Sequence, residues 1–140
     1  MADTDLSIQD LQEAVAYWKE KLGLHYWSID LHLMKMIDQG GDSTAAGKAS
    51  WNLARRQCTV KITDPKTKYE GCVDIDQEKT LVHELLHITF AAWDEWSYDK
   101  GPMSSIQNDL HVEQQLDMLA ETMVTLRRSS GHKFSYEERF

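Results

Sequence analysis

Between Leu81 and Trp93 the apolar residues of this chain fall on two sides of a helix rather than one. At about 100° per residue, Val82, Leu86, Phe90 and Trp93 make one stripe, while Leu81, Leu85 and Ile88 make a second on nearly the opposite side. A helix apolar on two sides has to lie between layers. The arc between the stripes holds His83 and His87, with Glu84 beside the first, in the pattern His83-Glu84-Leu85-Leu86-His87. Enclosed imidazoles without partners are costly. Two of them at i and i+4 share one helix face, about 5–6 Å apart at Cβ, and can close on a single metal ion. Glu84 lies about a third of a turn around, where its carboxylate can take a proton from a metal-activated water without being a ligand itself.

Two histidines do not complete a catalytic zinc site, which needs three protein ligands and a position left for water. The last helix, expected over residues 108–128 with Leu116, Leu119, Met123 and Leu126 as its core stripe, offers Glu113, Asp117 and Glu121 at i, i+4 and i+8, with His111 just before them. On the helical projection Glu113 and Asp117 lie beside the apolar stripe, in the arc that also holds Ala120 and Val124. Glu121 is turned further towards solvent and His111 projects away from Glu113. Glu113 is the expected third ligand and Glu121 its competitor. If Glu113 binds the metal, Asp117 one turn later can accept the second ring N–H of a liganding histidine.

The remaining pattern predicts an α+β fold in a single domain over residues 1–140. Residues 7–22 read as an amphipathic helix with Ser7 as N-cap, Asp10 three positions on, Gly23 just past the end, and Leu11, Val15, Trp18 and Leu22 on one stripe. Residues 25–36 alternate as a half-buried strand through Trp27, Ile29, Leu31 and Leu33. His25 and His32, seven apart on that strand, fall on opposite faces and read as surface residues. A turn is expected over residues 39–43, residues 45–51 suit either a strand or a loop, and residues 57–63 alternate again through Cys58, Val60 and Ile62 until Asp64-Pro65. Asp76 can cap the helix that carries the histidines. The strands are expected to form a small, twisted, mostly antiparallel sheet.

Composition narrows the classes of partner. The formal charge of -8 opposes phosphate-driven binding of nucleic acid, and Arg55-Arg56 and Arg127-Arg128 read as solvated faces. No apolar run approaches the ~20 residues of a membrane span, and nothing at the N-terminus resembles a secretion signal, so a cytoplasmic location is expected. Cys58 and Cys72, without C-x-x-C spacing, read as free buried thiols.

The His83-Glu84-x-x-His87 helix followed by a helix bearing Glu113-x-x-x-Asp117 resembles the gluzincin metallopeptidases. The initial amphipathic helix, the strand carrying Trp27, Ile29 and Asp30, and the run from Leu81 to His87 are similar, more narrowly, to small metallopeptidase-like proteins of bacterial and phage genomes. The resemblance implies a zincin-like fold, zinc on His83, His87 and Glu113, Glu84 as general base, Asp117 orienting a histidine, and a peptide or protein substrate. Large members of that group have a C-terminal subdomain that supplies an oxyanion-stabilising residue, and nothing in this chain corresponds to it. Tyr98, in the connection between the two site helices, is the best available donor to a developing oxyanion. His132 and Tyr136 are weaker candidates, and Glu137 or Glu138 of the tail could instead fold over the site.

Two other readings remain at the level of sequence. One is a regulatory or interaction module that keeps zinc without turnover, against which the intact Glu84 speaks. The other is a resemblance to SprT-type proteases acting on DNA-linked proteins, which also carry H-E-x-x-H but use a histidine as third ligand; the acidic charge here opposes that role.

Overall fold

The computed structural model of the chain describes residues 5–35, 46–67, 75–92 and 105–139. Among these residues it is a small α+β fold with three α-helices and a three-stranded mixed sheet. Helix α1 (Ile8–Lys21) begins as its sequence requires: the Ser7 hydroxyl accepts from Asp10 N at 3.2 Å and the Asp10 carboxylate accepts from Ser7 N at 3.0 Å. It ends in a Schellman arrangement, in which Gly23 at φ 72 donates to Glu20 O and Leu24 donates to Lys19 O.

Strands β1 (Ser28–Met34), β2 (Gly47–Asn52) and β3 (Gln57–Thr63) are ordered β1-β3-β2. The undetermined stretch before Trp51 is therefore a strand, and the expected mostly antiparallel sheet is corrected. β3 pairs parallel with β1, from Ser28↔Gln57 to Met34↔Thr63, and antiparallel only with β2. Period-two alternation specifies which side chains turn inward but not which way a neighbouring strand runs. Direction comes from the connections: residues 53–56 make a tight β2–β3 link, with Arg56 at φ 52, while β3 slots between its two predecessors. Leu31, Cys58, Val60 and Ile62 turn inward as expected, and His25 and His32 are exposed. Both helices that cover this inner face, α1 through Leu11, Val15 and Trp18 and α2 through Leu81, Val82, Leu85 and Ile88, belong to one core.

Helix α2 (Gln77–Thr89) starts at Asp76, which accepts from Lys79 N at 3.1 Å. It stops sooner than its apolar pattern suggests. Phe90 is the C-cap and is 43% exposed rather than part of a buried stripe, and Trp93 lies outside the described residues.

Helix α3 (Ser105–Ser129) differs most from its sequence pattern. Among its described side chains Leu116, Ala120, Val124 and Arg127 are buried, whereas Leu119 and Leu126 of the expected stripe are 40% and 63% exposed. The helix is rotated from its apolar stripe by roughly a fifth of a turn. Arg127, read from sequence as solvated, is the reason: its side chain is buried, and its guanidinium donates to both oxygens of Glu78, both oxygens of Glu137 and the carbonyl of His132. Glu78, equally buried, also accepts from Trp18 Nε1 at 2.9 Å. Every N–H of the guanidinium is thereby used, which is what a buried arginine needs.

The C-terminal segment docks at this same end. Phe134 and Tyr136 are buried, the Arg127 guanidinium lies 4.2 Å from the Phe134 ring centroid, His132 stacks on Tyr17, and Arg139 forks onto Asp10. Among the described residues no helix is long and apolar enough to cross a membrane.

Candidate metal centre

The capped start of α2 fixes the phase of the helix, and one turn separates His83 from His87, whose ring centroids are 5.2 Å apart. Because α3 is rotated as described, Glu113 faces α2. Its Oε2 lies 2.9 Å from His83 Nε2 and its Oε1 lies 2.8 Å from His87 Nε2. One candidate ligand atom from each of these three residues lies within 4.8 Å of the other two, the one such group among the described residues. Tetrahedral zinc, with bonds of about 2.0–2.2 Å, separates its ligands by about 3.3 Å, so the donor types suit that ion and ligand atoms spread over as much as 4.8 Å would draw in around it. The two imidazoles are largely enclosed while Glu113 is half exposed, which leaves the cluster open to solvent on its α3 side.

Charge in the cluster follows from these contacts. Hydrogen bonds from His83 and then His87 hold the Glu113 carboxyl far below the usual range, against the effect of its burial. Burial opposes a charge on His83, but the Glu113 hydrogen bond and the nearby Glu84, Glu113 and Asp117 carboxylates raise its pKa nevertheless. The three side chains are thus preorganised as two donors around one carboxylate, the same set of atoms that a cation would gather in their deprotonated forms.

Glu84 differs from its neighbours in having no hydrogen-bond partner among the described residues, although it is only 7% exposed. Burial pushes its pKa up, with His87 and His83 opposing and Glu113 adding to the rise. Its place is set by β2. A β-carbon built on Gly47 would come within 2.8 Å of Thr80 Cγ2, 3.0 Å of Lys61 O and 3.2 Å of Glu84 Cγ, so only glycine lets the strand lie this close to α2. Four residues along the same face of β2, Trp51 lies against His87, its ring nearly parallel at 20° and the centroids 6.4 Å apart. Neither Gly47 nor Trp51 was singled out by the sequence pattern; the glycine inside a short alternating segment was the available signal.

The other expected site residues fall in different places. Asp117 Oδ1 lies 3.6 Å from His83 Nδ1, adjacent but beyond hydrogen-bond length. Glu121 is turned away from the histidines; Lys79 Nζ stands 3.6 Å from both the Asp117 and the Glu121 carboxylates. Tyr98, Cys72 and the turn at residues 39–43 lie outside the described residues, as does the side chain of His111. The tail does not fold over the cluster: Glu137 is held by Arg127 and Phe134 N, and His132 and Tyr136 pack at that same end, about 20 Å along α3 from Glu113. Cys58 is a free buried thiol whose pKa burial pushes up to about 11.

No protein-family model, no curated protein and no solved structure matches this chain.

Proposed function

We propose that this chain is a zinc-dependent peptidase of zincin-like architecture, with His83, His87 and Glu113 as metal ligands. The observation that carries the reading is Glu84: a carboxylate kept buried without a hydrogen-bond partner, immediately beside a three-donor cluster, is an expense that a purely structural site has no use for. A bound zinc ion supplies Lewis acidity and brings the pKa of a water towards ~7. Glu84, its own pKa raised by burial, is suited to take a proton from the attacking water and return it to the leaving amine. Asp117 is placed to steady His83 across a gap that a small shift of its carboxylate closes.

A peptide is the favoured substrate because of β2. It is one of the two edge strands of the sheet among the described residues, the one that runs past Glu84 and His87, and an extended peptide can add to such an edge through its main-chain groups. The acidic charge of the chain speaks against a nucleic acid in that place.

Elemental analysis of protein purified without chelators, paired with peptide hydrolysis by wild type and Glu84→Gln, tests this. About one zinc per chain in both proteins, with hydrolysis lost only in the variant, is the expected result. Metal-free protein refutes the site, and a metal-loaded wild type that cleaves no peptide in a broad library leaves a zinc-binding module without turnover.

A further inference from the structure

A liganding histidine ordinarily has its orientation fixed by a hydrogen bond from the ring nitrogen that does not touch the metal. His83 has Asp117 beside its Nδ1, but His87 has no hydrogen-bond partner besides Glu113 among the described residues. Among the described residues, Trp51 lies beside that imidazole. We infer that Trp51 is the positioning residue for His87: its indole packs against the imidazole and aims Nε2 at the Glu113 carboxylate, doing by stacking what an outer hydrogen bond does for most liganding histidines.

Three features of β2 support the role. The ring geometry, 20° between planes and 6.4 Å between centroids, is that of an offset aromatic pair. The strand lies close to α2, since a β-carbon built at Gly47 on the same face would come within 2.8 Å of Thr80 Cγ2 and 3.2 Å of Glu84 Cγ. The register Trp51↔Cys58 and Gly47↔Ile62 then locks β2 to the central strand, whose Cys58 and Ile62 are core residues. One strand thereby sets both the base, through Gly47, and a ligand, through Trp51. A tryptophan also loses little conformational freedom on being fixed, so it makes a stiff wall for a ring that must not rotate.

The inference rests on the zinc site proposed above, and its test reads metal affinity rather than turnover. Zinc dissociation constants are measured by competition with a chromogenic chelator for wild type, Trp51→Phe, Trp51→Val and Trp51→Met, beside the melting temperature of each metal-free protein. Phe preserves the aromatic face and is expected to bind within about threefold of wild type, while Val and Met are expected to lose roughly 10- to 100-fold, the range seen when an outer partner of a liganding histidine is removed. If Val does not fold, Met against Phe carries the same comparison. A merely structural tryptophan would lower the melting temperature and leave the affinity of the folded protein unchanged. Equal affinity for Val, Met and wild type, or a Phe variant as weak as the other two, overturns the role of Trp51 while leaving the zinc site standing. A wild type that binds no zinc overturns both.

Discussion

Gly47 and Glu84 approach so closely that a single added carbon on the glycine would lie 3.2 Å from Glu84 Cγ. The same carbon would meet Thr80 and the main-chain carbonyl of Lys61, which cannot move aside cheaply, so the strand must shift if Gly47 is replaced. Gly47→Ala is expected to cost about 1–3 kcal/mol in urea unfolding, the usual range for overpacking, and to reduce hydrolysis more than zinc affinity because it displaces the base rather than a ligand. An alanine variant with wild-type stability and activity would show that β2 sits farther from α2 than described.

The identity of the third ligand separates two carboxylates one face apart on α3. Glu113→Gln is expected to weaken zinc binding by more than about 100-fold, beyond what loss of an outer partner does, and Glu121→Gln to leave it within about twofold. Isothermal titration of both variants decides the assignment, and the reverse ranking would move the site towards Lys79.

Zinc should also act as a stabiliser. Binding only to the folded state adds about 4 kcal/mol at a free zinc concentration 1,000 times the dissociation constant, so the melting temperature should rise with zinc and fall on chelation in wild type but not in His83→Ala. A thermal scan with no zinc-dependent difference between these two proteins refutes binding at His83.

At the opposite end of α3, Arg127 and Glu78 are each buried and depend on one another. Arg127→Met alone strands a buried carboxylate and is expected to cost about 3–5 kcal/mol, whereas Arg127→Met with Glu78→Leu should recover much of that loss. Equilibrium unfolding of the two single variants and the double variant measures the coupling; additive effects would mean that the pair is not the interaction that matters there.

Asp10 gives a pH signature away from the candidate metal site. The Arg139 guanidinium forks onto it at 3.0 and 2.7 Å and, with Ser7 helping and burial opposing, brings its pKa down to about 2. A carboxylate depressed below its unfolded value of about 3.9 stabilises the fold above that pH and stops doing so as the pH falls through its folded value. Asp10→Asn should therefore melt below wild type at neutral pH, and the difference should close between about pH 4 and pH 2. A difference that stays constant across that range would show that the charge of Asp10 contributes nothing.

What the sequence could and could not convey is visible in α3. The helix caps and strand alternation are local chemistry, and Ser7, Asp10, Gly23, Leu31, Val60 and Asp76 stand where their own neighbours in sequence put them. The spacing of His83, Glu84 and His87 needs only a helix to become a cluster, and Glu113 lies on an arc close to Ala120 and Val124 in any helical projection. The rotation of α3 is different in kind. Its apolar residues point towards Leu119 and Leu126, and only the partners of Arg127, one of them 49 residues earlier and one 10 later, turn the helix the other way. Strand direction and the touch of Gly47 on Glu84 are likewise facts about distant segments that no window of sequence contains.

The Arg127 fork is about 14 residues, and so about 21 Å of helix, from Glu113. With α3 pinned there to Glu78 and Glu137, the helix is a lever whose fulcrum is its far end, and a tilt of only about 5° about that point would carry the Glu113 carboxylate about 2 Å, as far as a zinc–oxygen bond is long. The accuracy of a three-atom cluster is thus underwritten by a salt bridge that never touches it. Substitutions among Trp18, Glu78, Arg127, Phe134 and Glu137 belong among the determinants of the His83–His87–Glu113 cluster, however remote they look on the chain.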